Sequence, residues 1–523
     1  MQDVSSDATV GRSRNLVLAA MIFAVSMTFI DQTIVSIAAP EVQKRLGLTS
    51  TGVQWAVNAY LLSLAALFAF GGRLADTIGH RRMVTLGVVV FATASAFCGL
   101  TPKGGVAEAW IVAFRVLQGA GGAIMFPAAL AIVVQTFALR ERGRALAVFF
   151  GIAGGLTAVG PILGGYLTQW TWRAIFWVNI PVAVIALVMI VISKPVTEHR
   201  KAPMDYRGVG VIAAGVALSV FGFQQSAVWG WGDPATGLCI AAGAAILVAF
   251  YFLELGTASP LIQVSIFRIR PFLIENLVLA ISMLVFIPVF FFASEYAQLA
   301  LGKTPSAAGL YILYFFIGFV IAAQIGGRML DRDGAKRPVV LGCTLAAVGF
   351  YLWAGKVTGL DFSSQQLDII IAGAGMGLML GPANTDAVNR ASALSYGEAT
   401  GITQTVRNYA ASLGLAVLGT ILVSQMRTRV TSSLIAAHVP SARAHALASR
   451  LAQSHNSGAA SGTIPHFVRL DFAYATRSVL YVMAAIMALA AIMAFLGLKA
   501  GAQQQEAQAT PDVPSGAPAP SAT

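Results

Sequence analysis

Charge is what this sequence has least of. Of its 523 residues only 11% are Asp, Glu, Lys or Arg, against 57% hydrophobic residues and a mean hydropathy of +0.75. Soluble proteins carry roughly a quarter charged residues, so there is too little charge to coat a water-facing surface, and a soluble multidomain enzyme is excluded. Disorder over most of the chain is excluded by the same numbers, because disordered chains are poor in apolar residues. Cysteine is nearly absent. Cys98, Cys239 and Cys343 all lie inside apolar runs, with neither metal-ligand spacing nor a disulfide framework. The net charge of +12 is scattered singly between apolar runs rather than gathered into a patch, which argues against nucleic acid as a partner. Catalytic signatures are missing too: no His-Glu-x-x-His and no Gly-x-Ser-x-Gly occurs. Gly302-Lys303-Thr304 mimics the end of a nucleotide loop, but Ala297 stands where its first glycine belongs.

What is present is a series of long apolar runs. A helix needs about 20 mostly apolar residues to cross a bilayer. Fourteen runs meet that length, near 16–38, 53–71, 83–100, 108–131, 145–167, 174–193, 208–228, 236–254, 272–294, 307–327, 338–355, 367–388, 400–424 and 474–498. The first contains Asp31 and is too long for a leader's apolar stretch, so it reads as a membrane span. The basic residues orient the chain. With the N-terminus inside, 20 of the 34 Lys and Arg fall in segments on the cytoplasmic face and only 6 in the short external loops. Both termini are therefore expected in the cytoplasm of a multi-pass protein in the cell membrane. An external segment near 425–473 holds or adjoins His438, His445, His455 and His466, and the tail from 499 to 523 reads as a disordered cytoplasmic end.

One pattern occurs twice. Residues 71–82 read GGRLADTIGHRR and residues 326–337 read GGRMLDRDGAKR, with six of twelve positions identical at an offset of 255. An even number of spans separates the copies, so both lie on one face. In the first copy Gly72, Arg73, Asp76, Gly79, Arg81 and Arg82, and in the second Gly327, Arg328, Asp331, Gly334, Lys336 and Arg337, form a candidate loop switch. Glycines there allow tight turns and close helix approach, the acids can pair with a nearby cation, and the trailing bases hold the loop inside. The echo implies two similar bundles: residues 15–194 and 271–498, joined by a linker with two extra helices over 195–270 and preceded by a tail over 1–14. Halves of this kind suit a transporter with its substrate site between them.

In the order and at the helix ends where they stand, several motifs make a resemblance plain. The loop Gly72 to Arg82 resembles that after the second helix of the major facilitator superfamily, with Thr77 and His80 at positions more often basic. Asp31-Gln32-Thr33-Ile34-Val35, Arg115-Val116-Leu117-Gln118-Gly119, Gly160-Pro161-Ile162-Leu163-Gly164-Gly165 and the Trp172 to Pro181 stretch resemble motifs of its fourteen-helix drug:proton antiporter branch (EmrB/QacA-like). The resemblance covers about residues 15–498. It implies an all-α polytopic membrane protein of the major facilitator fold, with two six-helix bundles and two inserted helices. It implies a proton-coupled exporter of hydrophobic or cationic compounds, not an enzyme, with no cofactor and the proton gradient as energy source. The expected partners are the lipid bilayer, small lipophilic or cationic substrates and protons, with room left for a periplasmic adaptor. Gly160, Pro161, Gly164 and Gly165 would be the exporter motif of helix five. A transporter of one specific metabolite on the same fold, and more remotely a membrane-embedded enzyme, are the competing readings.

Ionisable residues inside a bilayer are costly and are functional candidates. Asp31 lies seven residues from the outer end of the first apolar run and Arg115 six from the outer end of the fourth, at matching depth. Opposite charges at one depth can form a proton switch, since burial disfavours a carboxylate and a nearby arginine favours it. A static pair locking the two helices is the other reading. Arg407 is a candidate for a polar site in the second half, with Asp386 or Glu398 as partner. Glu275, Glu295 and Asp368 sit near the ends of runs, where solvated positions are expected, and Glu295 is a candidate for an external vestibule.

Overall fold

The computed structural model describes residues 3–137, 139–195, 204–390, 396–453, 465–499 and 501, and among them there is helix and no strand. Fourteen helices are long and apolar enough to cross a membrane. They are α1 (Arg14–Leu46), α2 (Ser50–Ile78), α3 (His80–Gly99), α4 (Ala107–Thr136), α5 (Val148–Trp170), α6 (Ala174–Ser193) and α7 (Tyr206–Trp229). The second seven are α8 (Pro234–Gly256), α9 (Arg270–Ala300), α10 (Pro305–Asp333), α11 (Lys336–Gly359), α12 (Ser363–Asn389), α13 (Ala399–Ala436) and α14 (His466–Gly497). An even count brings both ends of the span region to one face, called the terminal face below; the other is the distal face.

All fourteen runs are spans, as expected, but several helices outrun their apolar stretch. The segment near 425–473, expected as a loop, is mostly helical: α13 continues to Ala436, a short helix occupies Ser441–Gln453 and α14 begins at His466. Polar residues can extend a helix into water once its apolar part is anchored, so hydropathy marks the bilayer crossing rather than the helix end. Of the four histidines, His438 sits in a turn with φ +64° and His445 and His466 lie on separate helices, while His455 falls outside the described residues. The C-terminal tail beyond 501 also lies outside them.

Local chemistry sets the breaks. Thr49 and Thr304 accept backbone N–H groups at the starts of α2 and α10, and Asp205 and Asp233 do so at α7 and α8. Gly79 (φ +108°) and Gly334 (φ +79°) occupy the left-handed region between α2 and α3 and between α10 and α11, a conformation open to glycine and strained for other residues.

The repeat is visible in packing. α4 lies against both α2 and α3, and α12 lies against both α10 and α11. Small residues allow each approach. A Cβ on Gly71 would fall 2.2 Å from the Ala123 carbonyl of α4, and one on Gly326 2.4 Å from the Leu378 carbonyl of α12. Of the two inserted helices α8 is peripheral and packs on α7, whereas α7 is not. α7 packs on both α2 and α13, and at their junction Asn58 donates to Gln224 (2.7 Å) while Ser412 donates to Asn58.

Candidate functional site

Asp31 on α1 and Arg115 on α4 are in direct contact, with 0% and 1% of their surfaces exposed. Arg115 donates through Nη1 to Asp31 Oδ2 and to Gln118 Oε1 (2.8 Å), and through Nε to the Ala56 carbonyl of α2 (2.8 Å). Gln118 Nε2 donates to Asp31 Oδ1 at 2.9 Å, so both carboxylate oxygens are engaged. The guanidinium also stacks over the Tyr60 ring at 4.5 Å, and Tyr60 donates to the Thr28 carbonyl of α1. The network continues outward: Gln118 reaches Ser95 on α3, which also accepts from Asn179 on α6. Five helices thus converge on one acid.

The spacing that builds this cluster is helical. Gln118 stands one turn after Arg115, so the two side chains share a face of α4. Sequence reasoning named the acid and the arginine but gave no role to Tyr60, Gln118, Ser95 or Asn179. The signal for Gln118 was its i+3 offset from a buried arginine; the others become neighbours only through tertiary packing.

Two residues beyond Asp31, Thr33 connects this cluster to α5. Pro161 has no N–H to give to the carbonyl of Thr157, four residues earlier, and so leaves it without its helical donor. Thr33 Oγ1 supplies one at 3.0 Å. Gly160 and Gly164 make the approach possible, since a Cβ on either would fall within 3.0 Å of atoms of Thr33, Ile30 or Ile34. On its other side Gly165 lies against α10, where an added Cβ would meet Ser306 Cα at 2.7 Å, and Gln169 donates to Ser306. Helix α5 is therefore clamped between α1 and α10 by the residues of its motif. Near the same face, Ser294 (3.3 Å) and Gln298 (2.9 Å) of α9 donate to the Ile37 carbonyl of α1. These contacts close the distal ends of the helices.

The two loop copies share backbone geometry more than ion pairing. In the first, Arg73 donates to the Pro260 carbonyl (3.0 Å), and Asp76 faces His80 (3.7 Å), while Arg81 is partly buried and Arg82 exposed. In the second, the exposed Asp331 is not the acid of the ion pair: Asp333, two residues on, pairs with Arg337 at 3.1 Å. Gly72 and Gly327 are the looser members of their Gly-Gly pairs; a Cβ on Gly72 would meet only the Pro127 side chain, and one on Gly327 nothing within 4 Å. Lys336 lies over the Phe495 ring of α14, and no ion pair of Arg328 or Lys336 occurs among the described residues.

Several expectations for the second half do not hold. Arg407 is not paired with Asp386: it donates to Gln404 (2.8 Å) and Asn384 (3.3 Å), while Asp386 accepts from Arg390, one turn along α12, at 2.5 Å. The closer cation on the same helix captures the acid. The side chain of Glu398 lies outside the described residues. Glu275, Glu295 and Asp368, expected near solvent, are 0%, 1% and 2% exposed. Asp368 is neutralised by Lys356 at 2.9 Å. Glu295 does not face an open vestibule, because its stretch of α9 is drawn against α1 by Ser294 and Gln298. The aromatic run of α9 is likewise internal: Phe290, Phe291 and Phe292 are at most 1% exposed, and Phe290 stacks on Phe316 of α10 at 5.0 Å.

Fourteen apolar helices, a repeated packing plan and an ion pair sealed inside the first bundle define a polytopic membrane transporter. The family model for the Major Facilitator Superfamily matches residues 21–415, and the chain belongs to that family. It is 33% identical to the tetracenomycin C resistance and export protein of Streptomyces glaucescens, over 78% of this chain and 76% of that one. It is 31% identical to the puromycin resistance protein pur8 of Streptomyces alboniger, over 81% of this chain and 83% of the relative. Among solved structures, a bacterial homolog of the human lysosomal transporter Spinster, inward-facing and unoccupied, matches with a TM-score of 0.60 at 16% identity, covering 93% of this chain and 97% of that one. That likeness concerns the fold.

Proposed function

We propose that the protein exports hydrophobic or cationic small molecules across the cell membrane in exchange for protons, by alternating access between two six-helix halves. The observation that carries the reading is the buried Asp31–Arg115–Gln118 cluster, on the face of α1 and α4 within the first half. An acid sealed from water in one conformation cannot exchange its proton there; it must do so in another, which ties protonation to conformational change. Thr33, on the same helix two residues away, holds the proline-broken carbonyl of α5, so a shift of α1 on protonation of Asp31 acts directly on the helix at the seam between the halves. The names of the relatives, which include resistance and export proteins, support export as the direction and drug-like compounds as the cargo. The basic residues on the terminal face support cytoplasmic termini and make the closed distal face the external one.

The energy source in this reading is the proton gradient, and the partners are bilayer, substrate and protons; the short helix Ser441–Gln453 would be the external platform on which a periplasmic adaptor could dock. Efflux of a fluorescent lipophilic cation from cells or inverted vesicles tests it. Export is expected to need the proton gradient, to collapse with an uncoupler, and to be lost in Asp31→Asn at unchanged protein level. Gradient-independent export, or full coupled export by that variant, would overturn the reading.

A further inference from the structure

The ring of bonds around Asp31 fixes more than a charge pair. Arg115 carries donors only, so the part of the Gln118 side chain that faces it must be the amide oxygen, and Gln118 Oε1 accepts from Arg115 Nη1 at 2.8 Å. Its Nε2 is thereby turned onto Asp31 Oδ1 at 2.9 Å, while Arg115 Nη1 also donates to Asp31 Oδ2. Each carboxyl oxygen thus meets an N–H. A protonated carboxyl would bring an O–H against one of those donors, so this arrangement accommodates the ionised acid alone.

The amide is held from behind. The second Nε2 hydrogen of Gln118 goes to Ser95 Oγ on α3 at 3.3 Å. Ser95 accepts in addition from Asn179 Nδ2 on α6 at 3.0 Å and gives its own hydrogen to the Phe176 carbonyl at 2.8 Å. A hydroxyl has one hydrogen and two lone pairs, so Ser95 is fully used and can offer Gln118 only a lone pair. For the amide to turn its oxygen towards Asp31, Ser95 must swing its hydrogen off the Phe176 carbonyl. Ser95, Gln118 and Asn179 are all buried, so a broken bond is not replaced from bulk water.

The surroundings of the ring are otherwise poor in charge. Its titratable neighbours are Tyr60 of α2, which lies under the Arg115 guanidinium, and the Cys98 thiol of α3, 4.0 Å from Gln118 Oε1. α5 meets α1 here through Thr157 and Gly160, and the α6 span has no ionisable side chain. α9 brings Glu295 beside Ser294, which bonds Ile37 at a level six residues beyond Asp31. α10 turns Tyr311 to Gln365 and Tyr314 to Phe362, and its charges lie in its last two turns.

We propose that Ser95 and Asn179 are positioning residues for the proton site: they lock the Gln118 amide in the orientation that donates to Asp31, and so carry a change in its protonation to α3 and α6. Neither bonds Asp31 itself. Arg115, always a donor, keeps Oδ2 as an acceptor, so a proton arriving from water sits on Oδ1 and turns that oxygen into a donor. Gln118 then has to turn, Ser95 has to release the Phe176 carbonyl, and the contact of α3 with α6 rearranges together with that of α1 with α4. The bearing on export rests on the proton-coupled reading above; the lock itself follows from the hydrogen-bond directions.

Infrared spectroscopy of the purified full-length protein in lipid nanodiscs, titrated through pH, follows the carbonyl stretch of protonated Asp31, identified by its loss in Asp31→Asn. Removing the lock loosens a donor that serves the charged carboxylate, so the band is expected to appear at higher pH than in the wild type. The expected shift is about 0.5–1 pH unit in Ser95→Ala, the equivalent of one hydrogen bond. Asn179→Leu, which acts on Ser95 from α6, is expected to shift the midpoint in the same direction by less. A side chain that served packing alone would lower the melting temperature and leave the midpoint in place. Unchanged midpoints in both variants, a shift to lower pH in either, or no Asp31-dependent band across the titration would overturn the proposal. Failure of the export reading would show differently, as absent or gradient-independent export with both midpoints shifted as expected.

Discussion

At the scale of single residues, the Asp31–Arg115 pair makes asymmetric predictions. Removing a buried cation strands the acid it served, which costs about 3–5 kcal/mol. Arg115→Ala is therefore expected to destabilise the protein by an amount of that order, measured by thermal or denaturant unfolding in detergent. Asp31→Asn keeps one acceptor oxygen for Arg115, and the Gln118 amide can turn to accept from the new N–H, so it is expected to fold with a smaller loss than Arg115→Ala and to fail in coupling. In the double variant Asp31→Asn/Arg115→Gln the stability loss is expected to be smaller than for Arg115→Ala alone, since no charge is left unpaired. The principal pair was legible in the sequence because its members were equally deep in two apolar runs. The same logic misjudged Glu275, Glu295 and Asp368. Nearness to the end of an apolar run measures depth along the membrane normal, while burial at that depth depends on which neighbours stand around the helix. Arg407 failed differently: Asp386 was a plausible partner by type, but Arg390 reaches it within one helix, a local competitor that an i,i+4 check would have found.

At the scale of helices, α5 is the element whose sequence is most tightly explained. Its proline frees a carbonyl, Thr33 occupies it, and glycines on two faces admit α1 and α10. Thr33→Val keeps the shape and removes the donor, leaving a buried carbonyl unsatisfied at a cost of about 1–3 kcal/mol. The expected result is a lowered melting temperature, with Thr33→Ser restoring most of it. Gly165→Leu acts on the other side. Its side chain would collide with the backbone of α10 at Ser306, so the distal ends of α5 and α10 are expected to be held apart. Export should fall while the protein still folds, and a cysteine pair at Gln169 and Ser306 should then cross-link poorly. Each of the fourteen spans was readable from hydropathy, the short helix Ser441–Gln453 was not, and glycine-proline chemistry pointed to α5. The donor for Thr157 was not readable, because it comes from a residue 124 positions away.

At the scale of the whole molecule, closure of the distal face is held by few bonds, among them Gln169–Ser306 and the two donors to Ile37. A short bifunctional cross-linker between cysteines at Gln169 and Ser306 is expected to abolish export, and a reducible linker to restore it on cleavage. Uninhibited export by the cross-linked protein would show that this face need not open. The repeated loop announced the two-fold plan from sequence, and the packing of α2–α4–α3 and α10–α12–α11 repeats accordingly. Where α7 and α8 would lodge was not legible, since nothing in an apolar run says which groove it will fill.

Their position has a consequence for traffic from the lipid. Two lengthwise seams run between the halves, one along α2 and α13 and the other along α5 and α10. The first is caulked by α7, pinned through Asn58, Gln224 and Ser412. Among the described residues the second has no such filler, and on its α5 flank Val148 and Ile152 are exposed. If cargo is oily and the terminal face is the inner one, as proposed above, a solute drifting sideways out of the bilayer would meet an uncaulked flank along α5 and α10 and a caulked one along α2 and α13.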